Sequence, residues 1–384
     1  MRSFDDIPGW LAQRKQEHLL RSRNQLQSAQ STRPVINGKE VLSFTSNDYL
    51  GLANHPSIAA AMRAAAEQYG VGAGASHLVS GHHLEHELLE QELAALVDRE
   101  AALVFSTGYM ANIGVISALM SRRDTVLEDK LNHASLIDGV RLSGARSLRY
   151  RHNDTDHLAQ QLERAQGKKL IVTDGVFSMD GDCANLCEMA DIARASSAWL
   201  MVDDAHGIGV IGQCGGGLVH KLGLSSEQVP LIVGTLGKAF GTSGAFVAGD
   251  KSTIDYLMQV SRPYIYTTAT PPAIAAASRA ALKLVAGANA ARTNLTERIQ
   301  QFREGIKTLG YELMPSYTPI QPVVIGANEK AVSMSEQLLK RGILVTAIRP
   351  PTVPKGTSRL RVTLSAEHTA DNVEYLLGVM EDLK

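Results

Sequence analysis

The sequence predicts an α/β fold: a large domain built on a mostly parallel central sheet, with a smaller α+β domain toward the C-terminus. Three observations carry this prediction. Short apolar runs between Ala101 and Ala248 alternate with helical stretches, the rhythm of crossover connections in a parallel sheet. Polar, glycine-bearing segments follow directly on several of these runs, at the strand ends where open α/β sheets gather ligands. After Pro271-Pro272 the rhythm changes. At 384 residues with 44% hydrophobic content, the chain has room for both domains and a sizeable core. The boundaries read as 1–50 for an N-terminal helix and hairpin, 51–285 for the large domain and 286–384 for the C-terminal domain.

Residues Asp5 to Arg23 read as an amphipathic helix, and Val35 to Phe44 as a hairpin turning at Asn37-Gly38. Helices follow at His55 to Tyr69 and His83 to Val97. Strands are expected at Ala101–Phe105, Thr125–Leu127, Ser147–Tyr150, Leu170–Thr173, Trp199–Val202, Leu231–Val233 and Ala245–Ala248. Helices are expected between several of them, at Met110–Met120, Ser135–Leu142 and Leu186–Ala195. A long helical region then runs to about Leu309. Beyond it, strands near Gly310–Met314, Pro322–Ile325, Leu344–Ala347 and Leu360–Leu364 alternate with helices at Lys330–Arg341 and Thr369–Leu383.

Charge narrows the function classes. With 38 basic and 39 acidic residues the chain carries no footprint for nucleic acid or an anionic membrane. Cys183, Cys187 and Cys214 are odd in number and lack C-x-x-C spacing, which speaks against a disulfide framework and a structural zinc site. The first residues have no apolar core of a secretory signal, so a cytoplasmic location is expected. The Ala273–Ala291 run is broken by Arg279 and Lys283, as in a water-soluble helix.

The most informative chemistry lies in Thr235-Leu236-Gly237-Lys238-Ala239-Phe240-Gly241. A lysine between glycine-rich turns after a short strand suits a Schiff base with an aldehyde cofactor. Upstream, Asp203 closes a predicted strand and starts Asp203-Asp204-Ala205-His206, where an acid can pair with a pyridinium nitrogen. Together they point to pyridoxal 5'-phosphate (PLP), which acts as an electron sink. Ser106-Thr107-Gly108-Tyr109 precedes a helix whose N-terminal N–H groups suit a phosphate.

Three decoys compete. Gly207-x-Gly209-x-x-Gly212 follows a strand but runs into further glycines where a dinucleotide fingerprint needs a helix. Gly234 to Lys238 resembles a phosphate-binding loop, yet Ile232 stands at its first glycine and Ala239 at its magnesium-binding hydroxyl. His82-His83-Leu84-Glu85-His86 fits H-x-x-E-H, and a zinc metallopeptidase using His82, Glu85 and His86 is the distant alternative to a metal-free enzyme.

With these residues placed, the chain resembles the fold-type I PLP enzymes, and within them the α-oxoamine synthases. The resemblance rests on Ser46 to Leu52, Ser80-Gly81, Thr107 to Asn112, Asn132 to Ser135, Gly175 to Asp182, Asp203 to Gly207, Thr235 to Gly241, Ser261 to Tyr264 and Arg359 to Thr363. It implies decarboxylative condensation of an amino acid with an acyl thioester. Thr346 to Pro354, the short termini and Arg21 are most similar to the biotin-pathway branch, which joins L-alanine to a pimeloyl thioester of coenzyme A or a carrier protein. Another member, such as a glycine C-acetyltransferase, is the alternative.

The resemblance further implies a residue for each task. Lys238 would tether PLP and act as base, Asp203 would pair with the ring nitrogen and His133 would stack on the ring. His206 and Ser178 would bond its polar substituents. Gly108, Tyr109 and Thr235 would hold the phosphate, with Thr267 reaching over from the second subunit of a homodimer. Arg361 would clamp the alanine carboxylate, and Arg21, Asn47 and Thr352 would contact substrate. Relatives often carry Glu where this chain has Asp204, and Arg where it has His77, which leaves His77 without an assigned role.

Overall fold

The computed structural model describes residues 3–384, which divide into two units. One holds the described residues up to Gly51 with Met179–Asp182 and Thr293–Lys384; the other holds Leu52–Ser178 and Cys183–Arg292. The first unit thus joins the N-terminal segment to the C-terminal region.

The N-terminal segment opens with the helix Ile7–Gln16, shorter than the sequence suggests and with no buried residue. His18 then takes a left-handed φ of 56°, so Arg21 lies outside the helix that the sequence assigns to it. Strands β1 (Val35–Ile36) and β2 (Lys39–Glu40) form the expected hairpin, with Asn37 and Gly38 both at positive φ. β3 (Leu42–Ser43) leaves the hairpin and pairs elsewhere.

The larger unit carries the seven-stranded sheet: β4 (Ala101–Phe105), β5 (Thr125–Asp129), β6 (Arg146–Tyr150), β7 (Lys169–Asp174), β8 (Trp199–Asp203), β9 (Leu231–Thr235) and β10 (Ala245–Gly249). Their order is β4-β10-β9-β8-β7-β5-β6. β5 to β9 run parallel to one another, and β10 runs antiparallel to both β9 and β4. The expected, mostly parallel sheet is therefore present. Its inner strands read as unbroken apolar runs because helices cover both faces. Leu103, Val126, Val172, Met201, Val233 and Val247 share one core with Val115 and Ile116 of the helix Gly108–Leu119. β6 instead alternates exposed and buried residues and puts Arg146 and Arg149 on the open edge, which discourages further strand pairing. The sequence reading passes over the helices Thr155–Leu162 and Lys251–Val260 and the shorter Gly217–Lys221 and Arg262–Ile265.

In the smaller unit β11 (Glu312–Leu313), β12 (Ile320–Gly326), β14 (Thr346–Ile348) and β15 (Ser358–Thr363) form an antiparallel sheet ordered β11-β12-β15-β14. β13 (Ile343–Leu344) pairs in parallel with β3. The single strand expected at Leu344–Ala347 is thus two short strands in different sheets. Among the described residues no helix is long and apolar enough to cross a membrane.

Candidate active site

The segments that carry Thr107, His133, Asp174, Asp203 and Lys238 lie at or follow the carboxyl ends of β4, β5, β7, β8 and β9, so the topology brings them to one sheet edge. After β4, Thr107 caps the helix Gly108–Leu119, its Oγ1 accepting from Met110 N at 3.2 Å. Gly108 N and Tyr109 N precede the first intrahelical bond, which Ala111 N makes to Thr107 O. They are donors without a helical acceptor. A Cβ on Gly108 would meet only Ala245 Cβ at 4.0 Å, so the backbone there is open to approach. The Tyr109 hydroxyl, at the exposed rim, donates to Asp138.

β9 and β10 form an antiparallel hairpin whose connecting loop carries Lys238. No helix follows Lys238, which removes the nucleotide-loop reading. Leu236 N donates to Gly244 O and Thr242 N to Leu236 O, each at 2.9 Å, so the loop closes on itself. Gly241 turns the chain at φ +65°, where a Cβ would sit 2.3 Å from Ala53 N. Lys238 Nζ lies 2.9 Å from His206 Nε2. One nitrogen must accept in such a contact, so the two share a proton between them. The Thr235 hydroxyl donates to Gly244 O at 3.1 Å and accepts from Gly237 N at 3.3 Å, so a phosphate would take its hydrogen only in exchange for the first of these bonds.

Asp203, at the end of β8, is buried, with no ion-pair partner among the described residues. Its Oδ2 accepts from Asn112 Nδ2 at 2.6 Å and its Oδ1 from Ala205 N at 3.1 Å. Asn112 Nδ2 also donates to Ser135 Oγ at 2.8 Å, and Ser135 Oγ lies 2.7 Å from His133 Nδ1. His133 caps the helix Ala134–Ser143, its Nδ1 accepting from Ser135 N. Burial lowers the His133 pKa, and the nearby Asp203 charge only partly offsets this. Asp174, at the end of β7, accepts from His133 N at 2.7 Å. Burial and the neighbouring Asp203 charge raise its pKa well above the carboxylate range. The next loop holds the half-buried Ser178 and is anchored by Phe177, packed edge-on to His152. Asp204 points away into a cradle of Gly175, Gly207 and Gly217, accepts from Leu218 N at 2.6 Å, and is raised by burial to about 7.

The structure thus sets Lys238 against His206 and links Asp203 to His133 through Asn112 and Ser135; Asn112, Ser135 and Asp174 are residues the sequence does not single out for the site. The available signal for Asn112 is one amide inside the apolar stretch Met110-Ala111-Asn112-Ile113-Gly114-Val115.

The H-x-x-E-H segment is used for packing. His86 Nδ1 accepts from His83 N at 3.0 Å, so Nε2 carries the hydrogen that Thr270 O accepts at 2.8 Å. Glu85 is paired with Arg279 at 2.7 Å. His86 thus has no free ring lone pair for a zinc ion, and the Glu85 carboxylate is engaged by a guanidinium. His77 stacks on Tyr264 with ring centroids 5.0 Å apart, bonds His82 Nδ1 at 2.9 Å, and is lowered by burial to about 3. Thr267 is half-buried in the bend before the Ser76–Thr268 bridge.

In the smaller unit Arg361 of β15 is buried and donates to Asn47 Oδ1 at 3.3 Å and Thr363 Oγ1 at 2.9 Å, both neutral oxygens. Two residues away Arg359 is locked in a buried ion pair with Asp180 at 2.7 Å. Burial pushes the nearby Tyr49 hydroxyl up to about 12, with Arg361 opposing the shift. Arg21 reaches Thr352 Oγ1 at 3.5 Å, and Arg349 donates to His18 O.

The donor set in the larger unit fits PLP. It offers an amine on a closed hairpin, a buried carboxylate with no ion-pair partner among the described residues, an uncharged imidazole, and two backbone N–H groups without a helical acceptor at an open helix N-terminus. Residues 39–380 match the family described as aminotransferase class I and II. Proteins named 8-amino-7-oxononanoate synthase from Pseudomonas entomophila and Pseudomonas putida are 56% and 55% identical over 377 residues, covering 98% of this chain and 97% of each relative. A solved serine palmitoyltransferase from S. paucimobilis with a bound PLP–myriocin aldimine matches at a TM-score of 0.94 and 32% identity, over 99% of this chain and 97% of that one. The 8-amino-7-oxononanoate synthase of Francisella tularensis matches at 0.79 and 33%, over 89% and 97%. A hairpin-borne lysine and a buried aspartate at one sheet edge, together with likeness along the whole chain, place this protein in the aminotransferase class I and II family of fold-type I, PLP-dependent enzymes.

Proposed function

We propose that this enzyme joins L-alanine to a pimeloyl thioester, releasing carbon dioxide and the carrier thiol, to form 8-amino-7-oxononanoate in biotin biosynthesis. The observation that carries this reading is 55–56% identity over 98% of the chain to relatives of that name. Bound PLP supplies an electron sink for the pair left on the amino-acid α-carbon when its proton departs.

The chain's own residues do the rest. Lys238 holds the cofactor between turnovers and takes the α-proton, and His206, 2.9 Å from its Nζ, exchanges that proton with it. Asp203 would pair with the ring nitrogen and keep it protonated, and the neutral His133 ring would pack on the cofactor. Ser178 and His206 bond the ring substituents, and Gly108 N, Tyr109 N and Thr235 hold the phosphate. The planar fork of Arg361 suits bidentate binding of the alanine carboxylate. Arg21, Asn47 and Thr352 serve the acyl substrate.

A homodimer supplies Thr267 from the second copy. Val71, Val79 and Tyr266, exposed by 86%, 78% and 72%, lie within five residues of the Ser76–Thr268 bridge in sequence and offer apolar surface to that copy.

The test is thiol release from pimeloyl-CoA and from a pimeloyl carrier protein with alanine, glycine or serine. Alanine is expected to be preferred, and the two thioesters separate the carriers. A clear preference for glycine would overturn the reading.

A further inference from the structure

Two groups assigned to the cofactor, Asp203 and His133, are held by one amide. Asn112, on the helix Gly108–Leu119, is 1% exposed, and its Nδ2 has two hydrogens and two acceptors, Asp203 Oδ2 at 2.6 Å and Ser135 Oγ at 2.8 Å. The opposite amide orientation would set Oδ1 against the Asp203 carboxylate, acceptor to acceptor, so the network decides which way the amide points. Ser135 Oγ accepts from Asn112, and its own hydrogen is thereby directed to His133 Nδ1 at 2.7 Å. His133 Nδ1 receives a second donor, Ser135 N at 3.3 Å, and so has no room for a proton.

Asn112 holds this position at a cost. Its Oδ1 is buried without a partner among the described residues, on a helix whose Ala111 and Val115 belong to the apolar core. A residue that merely filled the space would be apolar and would avoid that desolvation penalty.

We propose that Asn112 is a positioning residue for the cofactor: its one amide fixes the Asp203 carboxylate directly and, through Ser135, the Nε2–H tautomer of His133. The inference rests on the proposed function, which puts both groups against PLP. It adds that their geometry and protonation are set together by one amide on the helix Gly108–Leu119.

The test measures PLP affinity and the pH dependence of the visible spectrum in wild type, Asn112→Ala, Asp203→Asn and the double variant. Asn112→Ala is expected to bind PLP roughly tenfold or more weakly, the scale of a lost hydrogen bond to a charged group. It should also move the pH midpoint of the visible band while far-UV circular dichroism stays unchanged. Both effects should shrink in the Asp203→Asn background, because Asn112 then holds a neutral amide oxygen in place of a carboxylate and only its arm through Ser135 is unchanged. Wild-type affinity and spectrum in Asn112→Ala, or equal losses in both backgrounds, would overturn the proposal.

A second measurement does not depend on that variant folding. In ¹⁵N-histidine-labelled holoenzyme, with His133 assigned by its loss in His133→Asn, Nδ1 should be unprotonated and Nε2 protonated. A protonated Nδ1 would overturn the proposal. If wild type forms no Lys238-dependent visible band, the fault lies with the proposed function and the inference falls with it.

Discussion

Lys238 and Arg361 carry the sharpest predictions at the scale of single residues. Lys238→Ala is expected to lose the visible absorbance of the bound cofactor and all turnover, read by spectrophotometry on dialysed protein; an unchanged spectrum would refute the tether. Arg361→Lys keeps the charge but loses the planar fork that reaches Asn47 and Thr363. The KM for alanine should rise roughly tenfold or more, the scale of one charge-assisted hydrogen bond, with a smaller change in kcat. Most catalytic candidates are legible because they are polar residues placed immediately after apolar runs, as Asp203 follows Trp199–Val202. Asn112 is not legible in this way. Its importance comes from a bond across 91 residues, and a lone amide in a helix has no pattern. His77 likewise gains its meaning only from Tyr264 and His82, which make it a packed, neutral ring.

At the scale of elements, the decisive feature is that β9 and β10 are joined as a hairpin, so Lys238 rides on a closed loop and not at the start of a helix. Gly241→Ala tests how tightly that loop is specified. It forces a side chain into a left-handed conformation and onto Ala53 N, and should cost about 2–4 kcal/mol of stability together with weaker cofactor binding, read by thermal unfolding with and without PLP. The buried strands β5 and β7 to β10 are legible within a residue or two, since burial on both faces demands continuous apolar sequence. The first helix is not: its exposed residues bury nothing, so nothing in tertiary packing extends it past Gln16 toward Arg21. The two-residue pair β3–β13 is too short for any periodicity to announce it.

At the scale of the molecule, buried ionisable groups set the pH response. His368 stacks on Phe44, accepts from Ser365 N and donates to Ser43 O, and burial lowers it to about 4. The unfolded chain protonates this histidine near 6.5 while the fold keeps it neutral. Stability is therefore complete above 6.5 and lost as pH falls toward 4. His86, lowered to about 4, and His77 add slope of the same sign. Thermal melts between pH 8 and 4 should show this decline, and His368→Asn should be less stable at pH 8 but decline less steeply. Glu90, raised by burial to about 8, works the other way: its contribution is present below 4.5 and lost as pH rises to 8. Glu90→Gln should gain on wild type across that window; a parallel pH profile would rule out a buried, titrating carboxyl.

The sequence by itself determined the fold class, the parallel sheet and the residues at its carboxyl edge, because apolar runs and polar breaks are local consequences of burial. Only the tertiary structure decided that His82, Glu85 and His86 are packing groups, that Lys238 sits on a hairpin, and that Asn112 ties Asp203 to His133. Those facts depend on which lone pairs and hydrogens meet across distant segments, and hydrogen-bond geometry at that range leaves no periodic trace along the chain.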